Sequence, residues 1–353
     1  MENQPEDLSE TPTISILIPT LNAVSVLKNC LESINNQNYP KEKIEIVVAD
    51  GGSADGTVEL AKEYGAVVVQ NKLKTGEAGK AAALKACTGD FAVLIDSDNI
   101  LPDSGWLGQM IEPLLKHVEA VGSEPWKYIW RKENGFIDRY CALIGMNDPF
   151  VMFLGNYDRV NLLTGKWTEV EHEEEDMGGY LLLGLDRRGV PTIGANGTVF
   201  RTEFLKSRVT GDYLFDIDIL AKEIKDKGSV KFIKVKNGII HNFCGSDIGK
   251  FARKQKRRVK DYLFHLNEKK DREFSWGDMD LSGKNPWGMV KFVLSCVLVV
   301  PLLVQMIAGL FKKFDTAWFF HPAACWITLW VYGTGRVGRY FKSAELSREG
   351  WGQ

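Results

Sequence analysis

Short apolar runs alternate with segments of helical periodicity over about the first hundred residues. The runs predict four buried strands, TISILIPT (13–20), IEIVVAD (44–50), AVVVQ (66–70) and FAVLIDSDN (91–99). The segments that follow the first three runs predict helices, namely VLKNCLESI, TVELAKEYG and GKAAALKAC. Continuous apolar strands joined by helices are typical of a mostly parallel sheet covered on both faces. We therefore expect an α/β fold that binds its ligand where the strands end.

The pattern loosens between Glu124 and Met177 and becomes regular again afterwards. Six of the eight residues in EVEHEEED (169–176) are acidic, which predicts a solvated loop or, alternatively, a metal site that uses His172. The later segments predict a short strand and turn (192–205), a helix ended by Gly228 (215–228) and a two-part strand region (230–241). A basic amphipathic helix, capped by Ser246 or Asp247, is expected over 246–266.

Two apolar stretches lie near the end of the chain. Residues 292–311 carry no formal charge, and twenty such residues match the thickness of a bilayer. The stretch 317–332 is shorter and rich in Trp and Phe, which leaves a short span, a re-entrant arm or an interfacial helix open. Basic residues precede the first stretch and follow the second, so we expect both ends on the cytoplasmic side, as a two-helix hairpin or a re-entrant pair that never emerges, with a single-span anchor as the alternative.

Composition narrows the functional classes. The 353 residues are 44% hydrophobic with a formal net charge of −2, which argues against a disordered chain and against a general nucleic-acid binder. Six scattered cysteines without metal-ligand spacing predict a reduced compartment. The acidic, polar N-terminus (1–12) is unlike a signal peptide and predicts a cytosolic catalytic domain.

Carboxylates mark the ends of two predicted strands. Asp96 and Asp98 follow FAVLI, and two carboxylates at this spacing can converge on Mg²⁺ or Mn²⁺ that also binds phosphate. Asp50 ends another strand and precedes a Gly-rich turn, so its carboxylate is expected to accept a hydrogen bond from a nucleotide base. PTLN (19–22) ends the first strand at the same sheet edge.

PTLN, DGGSADGT and DSDN together resemble family 2 glycosyltransferases of the GT-A fold. The resemblance implies a nucleotide-diphosphate-sugar donor in the crevice, with a metal-bound diphosphate near the third motif. It implies that Thr20 flanks the nucleotide, that Asp50 holds the base and that Asp96 contacts ribose or phosphate. The implied donor-binding residues are Pro19, Thr20, Asn22, Asp50, Gly51, Ser53, Lys80, Asp96 and Ser97.

The second half extends the resemblance more loosely. FDID (215–218) is similar to the family's acidic helix start, with Phe215 in place of a glutamate. The resemblance implies that Asp216 is the general base and Asp218 the following acid, although their roles are open to exchange. It also implies metal ligation by Asp98, Asp96 and His241, while His241 is equally readable as a core histidine.

The expected organisation is a tail (1–12), a GT-A transferase domain (13–245), a basic helix and linker (246–290), a membrane hairpin (291–342) and a tail (343–353). The resemblance implies an inverting, hexosyltransferase-like enzyme that acts on a lipid-linked or glycan acceptor at a membrane. QKRRV (255–259) is only partly similar to the Q-x-x-R-W of processive synthases, because the Trp is missing. A nucleotidyltransferase and a catalytically silent membrane scaffold remain the alternatives.

Overall fold

The computed structural model describes residues 11–267 and 286–341. In this part of the chain ten strands form one sheet: β1 (Ile14–Thr20), β2 (Ile44–Asp50), β3 (Val67–Gln70), β4 (Phe91–Leu94), β5 (Asn99–Ile100), β6 (Ala120–Tyr128), β7 (Glu173–Asp176), β8 (Tyr180–Asp186), β9 (Thr198–Arg201) and β10 (Ser229–His241). The four strands predicted at the start of the chain correspond to β1, β2, β3 and β4.

Twelve α-helices accompany the sheet in the described ranges. They are α1 (Val24–Asn35), α2 (Thr57–Glu63), α3 (Gly76–Ala86), α4 (Trp106–Lys116), α5 (Phe136–Ile144), α6 (Pro149–Leu154), α7 (Thr202–Arg208), α8 (Asp216–Lys227), α9 (Ile248–Asn267), α10 (Pro286–Leu298), α11 (Val300–Lys312) and α12 (His321–Phe341). Asp247 caps α9 as expected, because its Oδ1 accepts from the backbone N of Lys250 at 2.8 Å.

The sheet is mixed, which corrects the expectation of a mostly parallel one. Its order is β3-β2-β1-β4-β9-β6-β10-β8-β7, with β5 paired to the end of β10. The four strands before β9 in this order, β3, β2, β1 and β4, pair in parallel. β9 then inserts antiparallel between β4 and β6, and β8 and β7 add an antiparallel edge. The parallel half brings the ends of β1, β2 and β4 to one edge, where the predicted motifs lie.

Both faces of the sheet are buried. Leu17 of β1 packs into one apolar core, while its neighbours Ile16 and Ile18 pack into the other. Alternate side chains of a strand point to opposite faces, so helices on both sides must cover the sheet. The expected two-sided α/β framework is therefore confirmed.

The acidic run departs from the expected loop. Its residues Glu173–Asp176 form β7, an exposed strand at the edge of the sheet. His172 contacts the carbonyl of Val170 through Nδ1 and Glu174 through Nε2, at 2.6 and 3.0 Å. Exposed charges on an edge strand discourage pairing with another chain, which is a sufficient structural reason for the acidity.

The apolar stretch 292–311 is not one continuous helix, because it is divided between α10 and α11. α10 and α11 are bent by 93° relative to each other at Val299. Val299 has a φ of 62°, and Pro301 in the first turn of α11 lacks the N–H that would continue the helix. Among the described residues, no individual helix has the length and hydropathy of a membrane span, and α10 with α11 reaches them only as this bent pair.

The C-terminal helices are fixed to the rest of the protein through α5. Tyr140 of α5 packs edge to face on Trp318 and Phe320, in the short 3₁₀ turn before α12. Asp315 accepts from Trp130 Nε1 at 2.6 Å and from Arg139 Nε at 3.2 Å. A buried carboxylate held by two donors and an apolar cluster gives a specific docking contact.

Replacing Gly79 with alanine is expected to destabilise the fold by about 1–3 kcal/mol, because overpacking shifts neighbouring groups. A Cβ on Gly79 would lie 2.7 Å from Pro19 Cβ and 2.9 Å from Asn71 Nδ2. Gly76→Ala in the same helix is the control, since a Cβ there meets nothing within 4 Å. Denaturant midpoints measure both, and equal midpoints would contradict close packing of α3 on β1.

Candidate active site

Asp50 is fixed at the end of β2 by the turn that follows it. Its Oδ2 accepts from the backbone N of Gly52 and of Ser53, each at 2.8 Å. Its Oδ1 accepts from Thr20 Oγ1 at 2.9 Å and from Ser53 Oγ at 2.5 Å. Burial would raise the pKa of Asp50, but these hydrogen bonds outweigh it and hold the pKa below its ordinary value. The carboxylate is therefore ionised and rigid at neutral pH.

The first two motifs form one hydrogen-bonded unit. Asn22, at a φ of 50°, donates its backbone N to Ser53 Oγ at 2.8 Å, and its Oδ1 accepts from the backbone N of Ala54 at 3.0 Å. Gly51 N donates to the carbonyl of Thr20 at 2.8 Å. The structure thus brings the predicted residues of PTLN and DGGS together.

Lys80 lies between two carboxylates from distant parts of the sequence. Its Nζ is 3.5 Å from Asp96 Oδ1 and 3.7 Å from Asp216 Oδ2, and its side chain is only 7% exposed. Burial would lower the pKa of Lys80, but Asp216 and Asp96 raise it above its ordinary value. This places a permanent positive charge inside the site.

Asp216 is the first residue of α8, beside the start of α3. The backbone N of Leu214 donates to the carbonyl of Glu77 at 3.0 Å, which fixes the approach to α8. Burial raises the pKa of Asp216 to about 6, against the opposing effect of Lys80. Asp216 Oδ1 is buried and accepts no hydrogen bond from any described residue. A carboxylate with this pKa and an unused oxygen is suited to accept a proton near neutral pH.

Asp98 forms a second charged group with His241 and Lys254. Its Oδ1 is 3.3 Å from His241 Nε2, and its Oδ2 accepts from Lys254 Nζ at 3.1 Å. Burial would raise the pKa of Asp98, but the Lys254 ammonium and the His241 imidazole hold it well below its ordinary value. Asp96 points to Lys80 instead, and no three carboxylate, imidazole or thiol groups cluster as a metal site in residues 11–267 and 286–341.

Asn99 ties the DSDN motif to the opposite wall of the site. Its Oδ1 accepts from the backbone N of Asp96 at 2.9 Å, and its Nδ2 donates to Asn196 Oδ1 at 3.0 Å. Asn196 Nδ2 in turn donates to the Tyr128 hydroxyl at 3.0 Å. This partly buried bridge fixes the loop that carries Asp96 and Asp98.

Several of these contacts have no clear signal in the sequence. Lys254 belongs to a helix whose basic residues suggest lipid or diphosphate contact, yet it reaches Asp98. Asn147 Nδ2 lies 3.3 Å from His241 Nδ1, and Gln255 Nε2 donates to the Asn147 carbonyl at 2.7 Å. Arg258 lies 3.3 Å from Asp148 Oδ2, so the Gln and Arg of QKRR hold this loop.

The remaining predicted residues take ordinary positions. Phe215, which replaces the family's glutamate, stacks on Tyr213 with ring centroids 5.7 Å apart. Asp218 lies in the first turn of α8 and contributes to the raised pKa of Asp216. Ser97 is partly buried between the two aspartates.

Sequence comparison identifies the N-terminal region. Residues 15–139 match the profile described as Glycosyl transferase family 2. "Glycosyltransferase AglE" of Haloferax volcanii is 29% identical over 105 residues, which cover 28% of this chain and 34% of that protein. A dolichyl N-acetyl-alpha-D-glucosaminyl phosphate 3-beta-D-2,3-diacetamido-2,3-dideoxy-beta-D-glucuronosyltransferase of Methanococcus voltae is 35% identical over 106 residues, covering 28% of this chain and 33% of that one. The chain thus matches about a third of the length of these relatives.

Structure comparison agrees with the motifs. A mannosyltransferase of Pyrobaculum calidifontis, solved in complex with GDP-Man and Mn²⁺, superposes with a TM-score of 0.51 over 92% of this chain and 88% of that one. Its sequence identity of 16% shows the shared fold alone. The family predicted from PTLN, DGGSADGT and DSDN is confirmed by the profile match. Residues 15–139 therefore match family 2 glycosyltransferases, and the chain shares the GT-A fold of the solved mannosyltransferase.

Proposed function

We propose that this protein transfers a sugar from a nucleotide-diphosphate donor to a lipid-linked acceptor, with inversion at the anomeric carbon. The observation that carries the proposal is Asp216, a buried carboxylate with a pKa of about 6 beside the Lys80 ammonium and Asp96. A general base must lie in the crevice and be ionised at the working pH. Asp216 meets both requirements.

The donor nucleotide is expected to bind at the ends of β1 and β2. Asp50 is already oriented by four hydrogen bonds, so its rigid carboxylate can accept from a base N–H without further ordering. Asp96, 39% exposed beside Lys80, is suited to contact the ribose or the phosphates. Lys80 supports the diphosphate as a buried, permanent cation.

Asp98 and His241 fit a divalent cation. Asp98 Oδ1 is buried and lacks a hydrogen bond among the described residues, although His241 Nε2 is 3.3 Å away. Two protein donors of this kind leave coordination positions for diphosphate oxygens, as Mg²⁺ and Mn²⁺ sites commonly do. When bound, the cation would offset negative charge on the departing diphosphate. Lys254 Nζ, 3.1 Å from Asp98 Oδ2, would share Asp98 with it.

The transfer itself needs one displacement. The acceptor hydroxyl gives its proton to Asp216 while its oxygen bonds to the anomeric carbon. The bond from that carbon to the diphosphate oxygen breaks, and its electron pair leaves with the nucleotide diphosphate. Attack and departure on opposite sides of the carbon invert its configuration. Lys80, near both Asp216 and Asp96, stabilises the ionised base before the reaction.

A lipid-linked acceptor is supported by the C-terminal helices and by a relative. The name of the Methanococcus voltae relative specifies a dolichyl phosphate acceptor. Helices α10 and α11 expose large apolar side chains at the surface of this protein. We therefore propose that the enzyme works at a membrane, and the basic residues that flank these helices support a cytoplasmic position of the catalytic domain.

A donor screen tests the proposed function. The purified protein is incubated with Mn²⁺ and several nucleotide sugars, with and without a polyprenyl-phosphate-linked acceptor, and nucleotide diphosphate is quantified. Release that depends on one donor and increases with acceptor supports the proposal. A parallel reaction with a nucleoside triphosphate and a sugar 1-phosphate tests the alternative, because release of pyrophosphate there would indicate nucleotidyl transfer. No release in either reaction would favour a silent scaffold.

The rate is expected to fall on the acidic side of about pH 6, because Asp216 must be ionised to accept the proton. The raised pKa of a carboxyl means that its base form is lost as pH falls through that value. kcat/KM for the acceptor between about pH 5 and about pH 8 reports the group in the free enzyme. A flat profile over this range would contradict Asp216 as base.

A further inference from the structure

The surface of α10, α11 and the start of α12 is unusually apolar. Of the 21 large hydrophobic side chains that are exposed in the described residues, sixteen lie between Trp287 and Trp330. We call these sixteen the apolar face. Its most exposed members are Phe311 (88%), Phe314 (84%), Trp330 (70%), Trp287 (69%), Val300 (64%) and Val297 (62%). An exposed patch of this density marks an interaction site.

Each of the two bent helices is buried on one side only. Phe292 of α10 packs on Phe150 and Phe153 of α6, with ring centroids 5.0 and 5.1 Å apart. In α11, a Cβ on Gly309 would lie 2.4 Å from the ring of Trp318, so that side is closed as well. The protein thus holds α10 and α11 by their inner sides and leaves their outer sides apolar and exposed.

Charge in the segments that form and adjoin the apolar face is mostly positive. The described residues 248–267 and 286–341 contain twelve Lys and Arg against two Asp, one of which is the buried Asp315. α9, which packs against α12, exposes Arg253, Lys256, Arg257 and Lys260. The chain as a whole has a net charge of −2, so positive charge is concentrated here. Such a rim complements anionic lipid headgroups.

We propose that the apolar face docks this protein in the plane of an anionic bilayer, without crossing it. The 93° bend prevents α10 and α11 from forming a straight span, while their exposed sides suit shallow insertion. Exposed Trp287 and Trp330 match the enrichment of Trp at the membrane–water interface. The inference deepens the proposed function, on which it rests for the lipid-linked acceptor, by assigning the surface that meets the membrane.

The basic residues beside the apolar face favour a bilayer, rather than a second copy of this chain, as what covers it. Pairing two identical apolar faces would bring two basic rims together, and like charges across an interface repel. An anionic bilayer neutralises the same charges. The lipid surface is therefore the occupant that the charges favour.

Vesicle sedimentation tests the docking without using activity. The full-length protein is mixed with vesicles of phosphatidylcholine alone or with phosphatidylglycerol added. The double variant Val297→Glu, Phe311→Glu places one charge on each helix at strongly exposed positions, so folding is expected to persist. Val67→Glu, Val118→Glu is the matched control, because these valines are 50% and 77% exposed away from the apolar face.

We expect wild type and control to bind the anionic vesicles, and the Val297/Phe311 variant to bind at least about tenfold more weakly. Lys256→Gln, Arg257→Gln should weaken anionic binding about fivefold per residue and leave binding to neutral vesicles unchanged. Equal binding by the Val297/Phe311 variant and wild type would overturn the proposal. So would a wild-type dimer, seen by light scattering, that the Val297/Phe311 variant converts to a monomer without any vesicle binding.

Depth measurement separates docking from crossing. Val300→Cys offers an exposed thiol at the bend, whereas the six native cysteines are buried. A spin label there should lie about 5–10 Å into the headgroup and acyl boundary if the helices lie in the plane. A label near the bilayer midplane, about 15 Å deep, would overturn in-plane docking. Because neither readout uses sugar transfer, docking and the proposed reaction can fail independently.

Discussion

Replacing Asp216 with asparagine is expected to lower the rate of sugar transfer by about 10²–10⁴-fold, the usual contribution of a general base. Asparagine keeps the shape of the side chain and removes only its ability to take the proton. Asp216 lies 3.7 Å from Lys80, whose other carboxylate partner, Asp96, remains in place. Donor binding should therefore persist, so the loss should appear in kcat rather than in the KM for the donor.

Asp218→Asn in the same helix is the matched control, because it removes one negative charge from the first turn of α8. Its expected effect is a small fall in the Asp216 pKa, since Asp218 contributes to raising it. The pH profile of this variant should shift towards acid with little loss of maximal rate. If Asp218→Asn were the more damaging change, the roles of the two residues would have to be exchanged.

Local signals predicted the parallel half of the sheet well. Apolar runs ending in polar residues gave β1, β2 and β4, and the shared edge of parallel strands then brought Thr20, Asp50 and the DSDN loop to one side. These elements depend on near neighbours in sequence, where periodicity is informative. The antiparallel insertion of β9 between β4 and β6 depends on pairing between distant segments, which periodicity does not encode.

The contacts of the candidate site also divide into local ones, which the sequence predicts, and contacts between distant segments, which it does not. The turn that fixes Asp50 is local, so its Gly-rich sequence predicted it. The contact of Lys254 with Asp98 joins residues 156 positions apart, and α9 had only its charge pattern to suggest a role. The bend at Val299 was missed for another reason, because the length of the apolar stretch outweighed Pro301 within it.

Replacing Asp98 with alanine is expected to abolish divalent-dependent turnover while the fold remains intact. Asp98 is the carboxylate that faces His241, so its removal leaves one of the two protein donors proposed for the cation. Mn²⁺ affinity, measured by electron paramagnetic resonance without donor, should fall by at least about 100-fold, more than the loss of a supporting group causes. Circular dichroism and the thermal midpoint report the fold.

Two further variants make the assignment specific. Asp96→Ala is the matched control, because Asp96 faces Lys80. This variant should bind Mn²⁺ in the donor-free state nearly as well as wild type. Lys254→Met removes the ammonium 3.1 Å from Asp98 Oδ2, so Mn²⁺ should bind more tightly to the donor-free protein. Wild-type activity of Asp98→Ala at saturating Mn²⁺, or a larger loss of Mn²⁺ affinity in Asp96→Ala, would show that Asp98 is not the ligand. Tighter binding in Lys254→Met together with lost binding in Asp98→Ala would identify Asp98 as a residue that holds the cation, with Lys254 as its competitor in the donor-free enzyme.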